Sequence, residues 1–273
     1  MVDFGRLALA VVLAGTVAKV AHRRQSLSTS GAWAAFVSGS ALFAFGTVFW
    51  YAPLLFFFVS SSALSKLPKP KSVERDFAKG GRRDALQVLA NGGEAPLWLW
   101  AARAWPGASE ALYIGYMARL AAATADTWAT EVGVFRRERP RLLGLFGPVE
   151  PGTSGGMTPS GTVAGALGAL LIGTLAAVQI ICSQGMRASA LWAAGLVGSA
   201  GFLGMMLDSV FGAFWQHRRR CRRCGKIVEA LEHCGLPTVY AGGRRWMTND
   251  AVNAMSGLFS ALIAAGAAYF WRF

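Results

Sequence analysis

Residues 189–213 read SALWAAGLVGSAGFLGMMLDSVFGA, an apolar run interrupted by one ionisable residue, Asp208, near its end. A membrane-spanning helix needs about 20 mostly apolar residues, and this run meets that length. A carboxylate inside such a helix is costly, which makes Asp208 a candidate functional residue. A second stretch, Ala125-Asp126-Thr127-Trp128-Ala129-Thr130-Glu131, closes another apolar run in the same manner. Matched acidic signatures in membrane-grade helices point to a polytopic membrane protein with a polar site at one end.

Apolar runs near 4–20, 31–49, 51–65, 84–105, 108–133, 159–182, 189–213 and 249–271 predict an all-α polytopic membrane protein with about seven or eight transmembrane helices. The 273 residues are 54% hydrophobic with mean hydropathy +0.40, more apolar than an ordinary soluble domain. A net charge of +13 would suggest nucleic acid in a soluble chain. Here the charge falls between apolar runs, so topology accounts for it and no nucleic-acid partner is expected.

The basic residues gather at 21–30 and in loops 65–83, 134–158 and 214–248, whereas the connections around Tyr51, Pro106 and Gln184 hold almost none. The positive-inside rule therefore places those loops, and any site at that end, in the cytoplasm, within a single integral membrane domain spanning 1–273. The first run lacks a basic leader of any length and a small-residue exit, so it reads as a helix rather than a cleaved signal.

The segment 84–105 is expected to be broken or re-entrant, because Asn91-Gly92-Gly93-Glu94 puts glycines and polar side chains at membrane depth. Such a break survives where it is buried in protein or faces a wet cavity. A weak repeat is also visible. Asp126-Thr127 is followed by Thr158-Pro159 opening a helix, and Asp208-Ser209 by Thr248-Asn249 opening the last one, with both threonines where an N-cap belongs. Gly161, Gly165, Ala169 and Gly173, and likewise Gly204, Asp208 and Gly212, recur every four residues, which gives smooth faces for close helix packing.

Asp126, Glu131 and Asp208 are the candidate Mg²⁺ ligands, since hard cations take carboxylate oxygens and leave the remaining positions to water and phosphate. Asp126 and Glu131 are offset on a helix, so both binding one ion is not assumed. Ser209 stands beside one carboxylate as a supporting group. The run Pro151-Gly152-Thr153-Ser154-Gly155-Gly156, with the helix start at Thr158, reads as a phosphate loop whose N–H groups face one concavity. Lys66, Arg82 and Arg83 flank segment ends and supply cations for phosphate. In the last loop, Cys221-Arg222-Arg223-Cys224 and His233-Cys234 form a candidate structural Zn²⁺ site, with His217 competing for the fourth position and reduced thiols as the alternative.

Phe58-Val59-Ser60-Ser61, Lys79 to Gly93, Ala125 to Gly133, Glu150 to Gly161, Asp208-Ser209 and Asn249-Asp250-Ala251-Val252-Asn253 together resemble the membrane family that contains transmembrane protein 19 and the plant phytyl-phosphate kinase. The likeness runs from about Ser60 to Asn253 through six ordered motifs. It implies a kinase that transfers the terminal phosphoryl group of a nucleoside triphosphate, preferentially CTP, to a prenyl monophosphate such as phytyl or geranylgeranyl phosphate. On that reading Asp126 and Asp208 hold Mg²⁺, with Arg82 and Lys66 assisting. Arg83, Gln87 and Asn91 meet the prenyl phosphate. Thr153, Ser154, Gly155, Gly156, Thr158, Ser209, Asn249, Asp250 and Asn253 meet the nucleotide. Two other classes stay open: an isoprenoid or lipid-phosphate transporter, to which broken helices and repeats also point, and a cytidylyltransferase-like enzyme that would release pyrophosphate.

Overall fold

The computed structural model describes residues 3–68, 81–142, 147–186 and 188–271. In chain order its helices are α1 (Phe4–Arg23), α2 (Thr29–Phe45), α3 (Val48–Leu64), α4 (Ala85–Val88, continued by a π-turn over Leu89–Gly93), α5 (Ala95–Ala104), α6 (Ser109–Arg136), α7 (Pro159–Gln184), α8 (Ala188–Phe214) and α9 (Asn249–Trp271). Four of them, α1, α7, α8 and α9, are long and apolar enough to cross a membrane, and the 17-residue α2 and α3 are shorter apolar helices. The protein is a helical integral membrane protein, as the apolar runs predict.

Helix α6 is the axis of the bundle, packed by α3, α5, α7, α8 and α9. It is buried from Tyr113 through Ala125 without interruption, so its alanines there face protein on every side. Small residues make that possible: a Cβ on Gly201 of α8 would run into Ala121 of α6. Backbone approach of this kind takes the place of a hydrophobic driving force, which lipid does not supply between helices. Apolar side chains on the outer faces, among them Leu9, Val12, Leu167, Leu170, Leu203 and Leu262, stay exposed and suit an acyl-chain environment. Trp105, Trp192 and Trp271 gather at one end, the last two with ring centroids 4.8 Å apart, as expected of an interfacial belt.

The boundary between α2 and α3 falls at Gly46-Thr47, earlier than the apolar runs indicate, because both residues are extended. Arg6 and Arg103 donate to the carbonyls of Gly46 and Phe45, which occupies acceptors left bare at that helix end. Pro53 lies inside α3 and cannot donate to Phe49 O; the Tyr113 hydroxyl donates to that carbonyl instead, at 3.2 Å. Tyr116 does the same for Trp50 O at 2.7 Å.

The break at 84–105 exists, with Asn91 and Gly92 in non-helical conformations. Its polar groups are satisfied within the bundle. Arg119 of α6 pairs with Glu94 and donates to Ala90 O at 2.9 Å and Ala254 O at 3.0 Å, so one buried guanidinium joins the break, α6 and α9. Glu94 Oε2 also accepts from Gly92 N at 3.1 Å. Only the first half of the break, through Gln87 and Asn91, reaches the polar site described below.

The repeat is legible in the capping. Thr158 Oγ1 accepts from Gly161 N at 3.1 Å, and Thr248 Oγ1 from Ala251 N at 3.4 Å. The loops are more structured than an all-helical reading suggests. β1 (Arg141–Leu142) pairs with β2 (Gly156–Met157). Residues 214–248 fold into a sheet ordered β4-β3-β7, from β3 (Arg218–Arg220), β4 (Ile227–Val228) and β7 (Val239–Gly242). A hairpin of β5 (Glu232–His233) and β6 (Leu236–Pro237) completes this segment. Strands of two to four residues are too short to carry an alternation by which the sequence would reveal them.

Candidate functional site

A cavity of about 920 Å³ opens at the end of the bundle that carries the basic loops. Asp126 of α6 and Asp208 and Ser209 of α8 line it. From α9 come Asn249, Asp250 and Asn253; from α4, Gln87 and Asn91; and from the turn before α4, Arg83. Lys66 and Ser65 stand at the end of α3, and Thr153, Ser154, Gly155, Gly156 and Thr158 form the facing wall. Residues far apart in sequence thus meet at one polar site because α6 and α8 end, and α4 and α9 begin, beside it.

The two aspartates influence each other electrostatically, and Glu229 bears on both. Like charges that feel one another in surroundings poorer than water in dielectric favour a nearby cation. Asp208 Oδ2 also accepts from Ser256 Oγ at 3.0 Å, which fixes its rotamer. On the far wall Asn253 Nδ2 faces Asn91 Oδ1 at 3.5 Å, Asn91 Nδ2 donates to Gln87 O at 3.0 Å, and the Asn253 Oδ1 is buried with no protein partner.

Three expectations are modified by the geometry. Arg82 does not line the cavity and is exposed. The chain bends at Arg82 and then bridges to Leu27 through Arg83, which leaves the first side chain outside and brings the second in. Arg83 is the inward one: its Nη1 donates to Ser62 Oγ at 3.1 Å, and its guanidinium lies 5.8 and 5.7 Å from the ring centroids of Phe57 and Phe58.

Glu131 lines the cavity, but Ser65 Oγ donates to its Oε1 at 2.8 Å and Arg83 faces it as the opposite charge. Asp126, Glu131 and Asp208 do not gather as three ligands for one ion, and Ser65 and Arg83 engage Glu131, which leaves the two aspartates as the cation candidates. The start of α7 is also less available to an anion than its sequence implies. Glu138 Oε2 accepts from Ser160 N at 3.1 Å, and Thr158 takes Gly161 N. The loop before it acts as a strap on α8, since a Cβ on Gly155, whose φ is +78°, would collide with Ser209 O and Ala213 N.

The 214–248 segment adds residues that the motifs do not announce. Gln216, His217, Arg219 and Glu229 all line the cavity. Glu229 Oε1 accepts from Ser154 Oγ at 2.7 Å and from Gln216 Nε2 at 2.6 Å, tying this segment to the strap. Partial burial, with Arg219 and Arg245 nearby, lowers the His217 imidazole below its usual range and favours the neutral ring. His217 packs on Tyr240 at 5.6 Å between centroids, away from the cysteines; His233 is the histidine that joins Cys221, Cys224 and Cys234. Hydrogen bonding, foremost from the backbone of Cys224, pulls the Cys221 thiol down to about 6.

A family profile described as integral membrane protein DUF92 matches residues 12–261. The chain belongs to the DUF92 family. Among DUF92 relatives, Protein PGR of Arabidopsis thaliana is 32% identical, covering 95% of this chain and 95% of its own length. An uncharacterized membrane protein of Methanocaldococcus jannaschii is 33% identical over 87% of this chain and 92% of that protein. A further uncharacterized membrane protein, from Synechocystis, is 26% identical over 79% of this chain and 72% of its own. No solved structure matches.

Proposed function

We propose that this DUF92 protein is a membrane kinase that transfers the terminal phosphoryl group of a nucleoside triphosphate, CTP first among the candidates, to a prenyl monophosphate, with its cavity facing the cytoplasm. The observation that carries the reading is a junction. A small apolar cleft between α1, α2 and α3, lined by Ala14, Leu42, Phe57 and Phe58, shares Arg83, Gln87 and Asn91 with the polar cavity. An amphiphile with an isoprenoid tail and a phosphate head suits such a junction, its head on those three residues and the first part of its tail in the cleft of about 90 Å³, with the remainder passing outward to the lipid.

The donor set suits Mg²⁺: two carboxylates, with amide and hydroxyl oxygens around them and room for water. A Mg²⁺ held there would neutralise charge on the transferring phosphoryl group and orient the donor. Arg83, Gln87 and Asn91 hold the acceptor phosphate. Asn253 offers its unpartnered oxygen to the donor, alongside Asn249 and Asp250. Gln216, His217 and Glu229 cover the cavity and limit water. An oxygen of the acceptor monophosphate then attacks the terminal phosphorus; the bond to the bridging oxygen breaks, and a nucleoside diphosphate leaves. The attacking oxygen is already anionic, so positioning and charge neutralisation supply the catalysis without a strong base.

The test is product analysis with protein purified in detergent, geranylgeranyl monophosphate and CTP labelled in its terminal phosphate. Label in a prenyl diphosphate is the expected result. Label released as pyrophosphate with a cytidylyl lipid, or movement of prenyl phosphate across vesicles with no nucleotide consumed, would overturn the reading. The cleft makes its own prediction. Ser38→Phe, which fills a buried position on the cleft wall, is expected to raise KM for geranylgeranyl phosphate about tenfold or more while sparing a five-carbon acceptor, read by steady-state kinetics on both.

A further inference from the structure

Cys221, Cys224, His233 and Cys234 stand outside the cavity and have no part in the chemistry above. Their donor atoms all lie within 4.8 Å of one another. Cys224 Sγ is 3.6 Å from His233 Nδ1 and 3.9 Å from Cys234 Sγ, and Cys234 Sγ is 3.2 Å from His233 Nδ1. A tetrahedral zinc with bonds of about 2.3 Å to sulfur and about 2.0 Å to nitrogen has sulfur–sulfur and sulfur–nitrogen edges of roughly 3.8 and 3.5 Å. The side chains therefore already occupy the corners that such an ion requires.

The backbone on both sides is shaped for the same purpose. Arg223 N donates to Cys221 Sγ at 3.4 Å, and Gly225 N closes the turn on Cys221 O at 3.0 Å. Opposite, Cys234 and Gly235 have φ of +55° and +76° as the central residues of the two-residue loop joining β5 to β6. That turn ordinarily carries Asn-Gly, and a cysteine in the left-handed region is uncommon. A ligand role explains its presence there. The segment also lacks a core that would fold it unaided, since Cys221, Val228, Ala230 and Met247 are its buried apolar residues.

We propose that Cys221, Cys224, His233 and Cys234 form a structural zinc site that folds residues 214–248 into a cap and holds Glu229 against the cavity. Four protein ligands close the coordination sphere, the mark of a structural rather than a catalytic zinc. Glu229 follows β4 and lies between the two ligand pairs; its contacts to Ser154 and Gln216 fasten the cap to the strap. The metal site stands independently of phosphoryl transfer, and only the benefit of covering the cavity rests on that reading.

The experiment uses the full chain purified in detergent without chelator, with metal content by mass spectrometry and limited trypsin digestion across the arginines of 218–226. About one zinc per chain is expected. Cys224→Ser and Cys234→Ser should each lower zinc affinity about tenfold or more, and Cys182→Ser on α7 should leave it unchanged. Stripping wild-type protein with phenanthroline should speed cleavage in this segment at least about tenfold, with protection restored by added zinc. The wild-type measurement stands even where a cysteine variant fails to fold. Absence of zinc after reconstitution, a Cys224–Cys234 disulfide, or zinc retained by both serine variants would overturn the inference. Zinc and protection in a protein without kinase turnover would sink the functional reading and leave this one standing.

Discussion

Asp208→Asn and Asp126→Asn are each expected to lower turnover about a thousandfold while making the resting protein more stable to heat. The first effect follows from removing a carboxylate that would hold the cation at the transferring phosphate, where one preorganised electrostatic group accounts for about 10²–10³ or more in kcat. The second follows from the electrostatic influence of the two aspartates and Glu229 on one another, because removing one like charge relieves their mutual repulsion. The opposed signs distinguish a functional pair from a structural one. The double variant should be no slower than either single one, since groups that act as a unit do not add. Steady-state kinetics and thermal unfolding on the same samples check all of this; intact turnover in either single variant would remove that residue from the site.

The other large effect concerns stability. Arg119→Met is expected to destabilise the bundle by about 3–5 kcal/mol, because it leaves the buried Glu94 without its partner and strips the donors from Ala90 O and Ala254 O. Glu94→Leu should cost a similar amount. Pairing the two, Arg119→Met with Glu94→Leu, should recover part of the loss, and a double-mutant cycle of unfolding in detergent measures the coupling. Additive losses would contradict the description of Arg119 as the bolt joining the broken helix to α6 and α9.

The membrane class was open to reading because lipid imposes a length and a polarity on every crossing helix, and the runs at 159–182, 189–213 and 249–271 met both within a few residues. The broken helix was legible for a local reason, as paired glycines beside Asn91 cannot continue an α-helix without a defect. Its partner was not legible: nothing in the sequence links Glu94 to Arg119, which are brought together by packing. The candidate site divides in the same way. Asp126 and Asp208 declared themselves by their cost in apolar surroundings, whereas Glu229 sits in a loop full of arginines where a carboxylate draws no notice. Only the fold of 214–248 turns it inward. Arg82 and Arg83 are indistinguishable as letters and are separated by a bend and by the bridge of Arg83 to Leu27. The glycines of 151–156 suggest a phosphate loop, but they give no sign of Glu138, which occupies an amide at the start of α7 and comes from outside that loop.

In the proposed mechanism Asp126 and Asp208 form a single cation site within a phosphate-binding cavity. Titration with Mn²⁺ in place of Mg²⁺, followed by electron paramagnetic resonance in the presence of nucleoside triphosphate, measures this directly. The account predicts tight Mn²⁺ binding that requires the nucleotide and that both Asp126→Asn and Asp208→Asn abolish; binding of the same strength in the two variants would contradict it.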